Sequence, residues 1–161
     1  MIKVVGIDPG LAGTGIGVVQ GNRRDILGYS FGTIATEAKD PIHFRLHKIY
    51  SKMLEFLCEQ KPDYVIIEDI YSLEKFPESG IMLGKVSGVL LLAAYNAGLN
   101  MEEIPVREVK KIISGNGNAD KDQMERAIRN QLNHDRPIRP FHASDALGLA
   151  LTGYYRYKNM L

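Results

Sequence analysis

The stretch MIKVVGIDPGLAGTGIGVV, Met1 to Val19, decides how the rest of the chain is read. Ile2, Val4, Val5 and Ile7 form a short run of β-branched residues, the pattern of a strand buried on both faces. The run stops at Asp8. Pro9-Gly10 then dictates a tight turn, and Thr14 to Val19 reads as the returning strand of a hairpin. A carboxylate that closes a buried strand carries a large desolvation cost unless a cation or hydrogen-bond donors meet it. Asp8 therefore has two readings: a turn former bonded to the backbone of its own Pro-Gly turn, or a metal ligand at the mouth of a central strand. Partners elsewhere in the chain decide between them.

At 161 residues and 45% hydrophobic, the chain has the size and composition of one domain over residues 1–161 with a sizeable core. A net charge of +1 neither favours nor excludes a nucleic-acid partner, so any basic surface must be local. The single cysteine, Cys58, lies in a helical pattern and cannot form an internal disulfide. It reads as a small core residue of a cytoplasmic protein. The N-terminus lacks the charged and long apolar regions of a signal peptide. The longest apolar run, Val86 to Tyr95, is broken by Ser87 and Gly88 and is short of the ~20 residues that span a bilayer, so no membrane association is expected.

Asp25 to Ala35 reads as a third strand, bent at Gly28 and Gly32. Asp40-Pro41 has the form of an N-cap and first helical residue, and Leu46, Ile49, Tyr50, Met53 and Leu57 recur at helical spacing up to Lys61-Pro62. Tyr64 to Ile67 is a second buried apolar run, closed by Glu68. A helix from Pro77 to Ala97, capped by Gly98, carries Gly80, Gly84 and Gly88 on one face. That stripe suggests close approach of another backbone, with packing against the sheet favoured over a second subunit. Asn100 to Ile104 is a fifth strand, and Pro105 to Ser114 a helix stopped by Gly115. Asp120 and Gln123 have capping-box spacing for a helix from Lys121 to Leu132. The last helix runs from Phe141 to Tyr157. Three strands followed by alternating strands and helices predict an α/β fold, a mixed five-stranded sheet flanked by helices on both faces. The strands ending at Asp8 and Glu68 would be central, parallel and adjacent, placing both acids where open α/β sheets bind ligands.

On the last helix His142 and Asp145 are spaced i, i+3 and share a face, while Ala143, Ala146, Leu147, Ala150 and Leu151 commit the helix to packing. Either residue alone is compatible with a structural role. Together with two carboxylates at the strand ends they form a group whose charges repel unless divalent cations lie between them. Oxygen-rich ligation suits Mg2+ or Mn2+, and an imidazole favours tolerance of Mn2+.

Four segments then match, in order, the motifs of a known family: Gly6-Ile7-Asp8-Pro9-Gly10, Ile66-Ile67-Glu68, Gly115-Asn116-Gly117-Asn118-Ala119-Asp120-Lys121 and Ala143-Ser144-Asp145-Ala146-Leu147. Over nearly its whole length the chain resembles the RuvC-type Holliday-junction resolvases of the RNase H-like superfamily. The resemblance implies a homodimeric, Mg2+-dependent endonuclease that makes symmetric nicks in four-way DNA junctions during recombination and repair, in partnership with a branch-migration motor. It puts the catalytic and metal positions on Asp8, Glu68, His142 and Asp145. The chain departs from the family where many members have Asp in place of His142, and where Leu83-Gly84-Lys85-Val86-Ser87-Gly88 lacks a frequent Arg.

In the mechanism this implies, two ions about 4 Å apart are bridged by Asp8, one activating water and the other stabilising the leaving 3′-oxygen. Asp145 and His142 would complete one shell and Glu68 the other, with His142 either a ligand or a proton carrier. Lys121 sits in a first helical turn, where the macrodipole disfavours a cation by roughly 0.3–1 kcal/mol. It reads as a phosphate contact and catalytic residue, or as a solvated lysine balanced by Asp122. Arg107 and Lys110 are further DNA candidates: between Arg107 and Arg139 eight basic residues face five acidic ones, a modest basic rim or a solvated face. Tyr71 and Lys75 follow Glu68 in a loop. The resemblance makes Tyr71 an aromatic that stacks on an unpaired base at the crossover, against the plainer alternative of loop packing, and Lys75 is a further DNA candidate in the same loop. Rival functions are a YqgF-like nuclease on structured RNA, a non-catalytic junction-binding module, and the phosphate hairpin of sugar kinases and actin-like ATPases. The last needs a second such domain, and no second copy of the hairpin occurs here.

Overall fold

The computed structural model describes residues 1–70 and 77–160. Strands β1 (Ile2–Asp8), β2 (Gly13–Gly21) and β3 (Ile26–Ala35) form an antiparallel meander, followed by helix α1 (Ile42–Gln60), strand β4 (Tyr64–Asp69), helix α2 (Pro77–Asn96) and strand β5 (Met101–Pro105). Helices α3 (Val106–Ser114), α4 (Lys121–Gln131) and α5 (Phe141–Tyr157) complete the chain before a short 3-10 turn. The sheet order is β3-β2-β1-β4-β5, with β4 parallel to both β1 and β5. This is the expected mixed five-stranded sheet.

Strand alternation divides the core. Val5, Ile7, Ile16, Val18, Val65 and Ile67 face α1 and α2, which supply Ile49, Met53, Leu57, Val86 and Leu90. Ile2, Val4, Val19, Ile66 and Ile104 face α3, α4 and α5, which supply Val109, Ile128, Leu147 and Leu151. Asp8 and Glu68 share the parity of Val4 and Ile66, so both strand-end acids fall on the α5 face of the sheet.

Helix α5 lies directly on the backbone of β1 and β2. A Cβ added at Gly6 would collide with the Ala146 carbonyl, one at Gly15 with the His142 carbonyl, and one at Gly17 would come within 2.5 Å of the Leu147 amide nitrogen. These three residues supply a bare surface, since any side chain would lift the helix away. At the far end Arg156 joins Glu102 of β5 to Glu108 of α3, and Tyr157 stacks on Tyr64 with 3.9 Å between ring centroids.

Several expectations need correction. Asp40 does not cap α1: Pro41 is the N-cap, without a side-chain bond, and the Asp40 amide closes a turn onto Glu37. β3 pairs without a break across Gly32, whereas the register does shift beside Gly28: Gly28 pairs with Gln20 and Ile26 with Gly21, which leaves Leu27 as the extra residue. Cys58 is exposed, because α1 buries Ile49, Met53 and Leu57 and the cysteine falls on the outward side. The glycine stripe of α2 does not meet the sheet: a Cβ at Gly84 or Gly88 would touch nothing within 4 Å. The inner side of α2 is Val86, Leu90, Ala93 and Ala94, and the glycines lie on the other side of the helix axis. Glu78–Asn96 is, by length and composition only, long and apolar enough to span a membrane, which the broken apolar run concealed; its inner face packs into the core.

Gly15→Ala or Gly17→Ala is expected to cost about 1–3 kcal/mol of stability, lowering the melting temperature by roughly 2–4 °C per kcal/mol. Gly32→Ala, where an added Cβ has open space, should melt near wild type. Thermal unfolding of the three variants side by side checks this.

Candidate active site

β1 and β4 run in register, Ile7 opposite Ile67, so the next residue of each strand, Asp8 and Glu68, emerges at the same level. α5 crosses above them and presents His142 and Asp145 from its first two turns. His142 Nδ1 donates to Asp8 Oδ2 at 2.5 Å, across 134 positions of sequence. The Asp8 carboxylate, 7% exposed, is therefore met by a distant imidazole. Its turn is closed by other groups, with Thr14 Oγ1 donating to the Gly10 carbonyl at 2.9 Å.

All four residues line one cleft of about 570 Å3, shared with Lys110 of α3 and Lys121 of α4. Its floor holds the Pro9–Gly13 turn, and its apolar wall is Ile70, Met82, Leu83 and Val106. Burial pushes the Glu68 carboxyl up to about 8, helped by the charge of Asp8, a hydrogen bond to it, and the charge of Asp145. Burial likewise raises Asp145 to about 6, with Asp8 adding to the effect and Lys121, His142 and Lys110 opposing it. The hydrogen bond to Asp8 raises the His142 imidazole despite its partial burial. Such displaced carboxyls in a cleft mark a site built for charge that the protein alone does not neutralise.

Among the described residues no three His, Cys, Asp or Glu side chains already form a closed metal cage. Asp8 is engaged by His142, and Glu68 and Asp145 hold their oxygens in the same cleft. The donor set nonetheless fits a hard divalent cation: it is carboxylate-rich, and its acids are destabilised by one another's charge. With Nδ1 committed to Asp8, the second ring nitrogen of His142 is the one left for a ligand or a proton.

Of the DNA candidates, Lys110 and Lys121 reach the cleft. Arg107 is outside its lining and packs instead beside Gly117, with Cγ 3.1 Å from where a Cβ there would stand. Tyr71 and Lys75 lie outside the described residues. Sequence reasoning overlooked the apolar wall, although Ser79, Met82 and Leu83 share one helical face. It also overlooked Phe141, whose ring lies 4.1 Å from the Arg139 guanidinium carbon and 5.7 Å from Lys121 Nζ. An aromatic two residues from an arginine, next to a candidate ligand, was the available signal.

Comparison with known proteins finds relatives over nearly the whole chain. The sequence profile of the family described as crossover junction endodeoxyribonuclease RuvC matches residues 4–153. The chain is 35% identical to the crossover junction endodeoxyribonuclease RuvC of Prosthecochloris aestuarii, over 92% of this chain and 79% of that protein. It is 33% identical to that of Carboxydothermus hydrogenoformans, over 99% and 100%. The structure of Thermus thermophilus RuvC in complex with Holliday junction substrate superposes with a TM-score of 0.88 and 28% identity, covering 99% of this chain and 97% of that one.

The raised groups set a pH dependence. Glu68, Asp145 and His142 all bind protons more tightly folded than unfolded, so the folded chain carries more protons in that window. Their contribution to stability is complete below the ordinary carboxylate range and is lost as pH rises to about 8. In the presence of a chelator the melting temperature should fall across that window, and Glu68→Gln should flatten the upper part of the decline. Calorimetry at a series of pH values reads this, and an unchanged slope in Glu68→Gln contradicts the assignment.

Proposed function

The chain belongs to the crossover junction endodeoxyribonuclease RuvC family, and from that premise we propose how its own residues resolve a Holliday junction. The observation that carries the proposal is the convergence of Asp8, Glu68, His142 and Asp145 in a single cleft beside Lys110 and Lys121. Asp8, Glu68 and Asp145 would hold divalent metal, Mg2+ with Mn2+ tolerated, two ions to a site. The bound metal supplies Lewis-acid charge to the scissile phosphate and an activated water. Asp8 keeps His142 oriented, and the second ring nitrogen of His142 takes or gives a proton. Lys121 and Lys110 set positive charge against the phosphate as negative charge builds in the transition state. A bulky apolar wall opposite the acids excludes water from the phosphate on that side.

We also infer a homodimer, joined through α2. Ile81, Leu92 and Tyr95 are exposed at 62%, 50% and 74%, and with Gly84 and Gly88 they fall within about 100° of the helix circumference. An isologous pairing of this stripe buries apolar surface and lets two backbones approach at the glycines. It supplies two clefts for two strands, as symmetric nicking requires. Tyr71 and Lys75 are assigned to the crossover DNA, Tyr71 by stacking worth roughly 1–3 kcal/mol. Action on cellular DNA goes with a cytoplasmic location.

Labelled four-way DNA, duplex DNA and structured RNA are to be offered with Mg2+; symmetric nicks in the four-way DNA alone are expected, whereas cleavage of the RNA would favour a YqgF-like role. Asp8→Asn should abolish nicking and leave junction binding largely intact, and binding by either form should weaken steeply with added salt. Leu92→Asp should sediment as a monomer if α2 is the interface. Tyr71→Ala should lose junction cleavage while retaining its fold by circular dichroism.

A further inference from the structure

Lys121 occupies an unfavourable place for a cation. It follows the N-cap Asp120 directly, in a helix start whose capping box is complete, and there the helix dipole repels positive charge. Among the described residues no carboxylate lies within ion-pair distance of its ammonium. What lies near it is the face of an aromatic ring: Nζ is 5.7 Å from the Phe141 centroid, inside the range at which a ring quadrupole attracts a cation.

Phe141 is the first residue of α5, one position before His142, and it is only half-buried. Its place is fixed relative to α4 from two directions. Arg139 lies 4.1 Å from the same ring and reaches Asp122, next to Lys121, at 3.6 Å. One turn further along α4, the buried carboxylate of Glu125 accepts the Ile138 backbone N–H at 2.9 Å and Arg129 Nε at 3.1 Å. The segment leading into Phe141 is thus anchored to the helix that carries Lys121.

We propose that Phe141 is a positioning residue, whose ring holds the Lys121 ammonium at the cleft so that it meets the scissile phosphate already oriented. The inference rests on the nuclease reading above. A lysine side chain has four rotatable bonds and many rotamers, and a fixed ring beside its head group selects those that point to Asp145 and the cleft. Lys121 lowers the Asp145 carboxyl and lines the cavity, as that orientation requires. Preorganised charge of this kind raises the rate of the chemical step more than it tightens substrate binding.

The test is a double-mutant cycle between Phe141→Leu and Lys121→Met, with Phe141→Tyr as the conservative variant. Phe141→Leu keeps the apolar bulk and loses the π face. Single-turnover nicking should slow by about three- to tenfold, while junction affinity and melting temperature stay near wild type. Phe141→Tyr should restore the rate, and Phe141→Leu should add nothing in the Lys121→Met background. Full activity of Phe141→Leu, failure of Phe141→Tyr to restore it, or additive effects of the two substitutions would each overturn the proposal. Nuclear magnetic resonance separates this from failure of the nuclease reading. The Lys121 ε-methylene protons should carry an upfield ring-current shift that disappears in Phe141→Leu, and its absence in the wild type overturns the proposal without any activity measurement. A wild type inert on four-way DNA sinks the nuclease reading instead, and the shift still decides whether the ring holds the lysine.

Discussion

The seating of α5 on bare backbone is the constraint from which the site follows. Gly6, Gly15 and Gly17 remove side chains from the two strands beneath the helix, so its first turns come down to the level of Asp8. A helix resting on ordinary strand side chains stands about 10 Å from the sheet. At that separation an imidazole on the helix does not reach a strand-end carboxylate at 2.5 Å. Glycine weakens a strand, and here that weakness is offset by the apolar body of α5, from Ala146 to Leu151, buried on both sides of the contact.

The same seating creates electrostatic tension. Two carboxyls held up by burial and by the charge of Asp8 do not help the fold at neutral pH. Proteins violate the rules of polar satisfaction mainly where function demands it. Away from this cleft the two cores flanking the sheet are apolar, and among the described residues the deeply buried acid Glu125 is engaged by a guanidinium and a backbone amide, while the Ser87 and Ser144 hydroxyls are buried without a partner. Stability is supplied by the body of the domain and reactivity is confined to its edge.

Much of this arrangement is legible in the linear chain, for identifiable reasons. Two apolar runs that each end in an acid announce parallel strands with carboxylates at one level, because strand periodicity of two fixes which face each residue takes. His142 and Asp145 share a face because i, i+3 does so on any helix, and the Asp120–Gln123 capping box forms as its spacing demands. The unread parts depend on what packs against what. Gly15 and Gly17 lie within a stretch that reads only as a returning strand, and the position of α5 shows them to be its seat. Gly84 and Gly88 look alike in sequence, yet the direction of α2 turns them outward. Cys58 and Phe141 were misjudged or missed for the same reason: which side of a helix meets the core is a tertiary fact.

The Asp8–His142 contact joins the first strand to the last helix, with nearly the whole polypeptide between them. On a ribosome, the acids of β1 and β4 emerge long before the helix that must cover them. The four side chains of the cleft therefore come together only when α5 docks on the sheet.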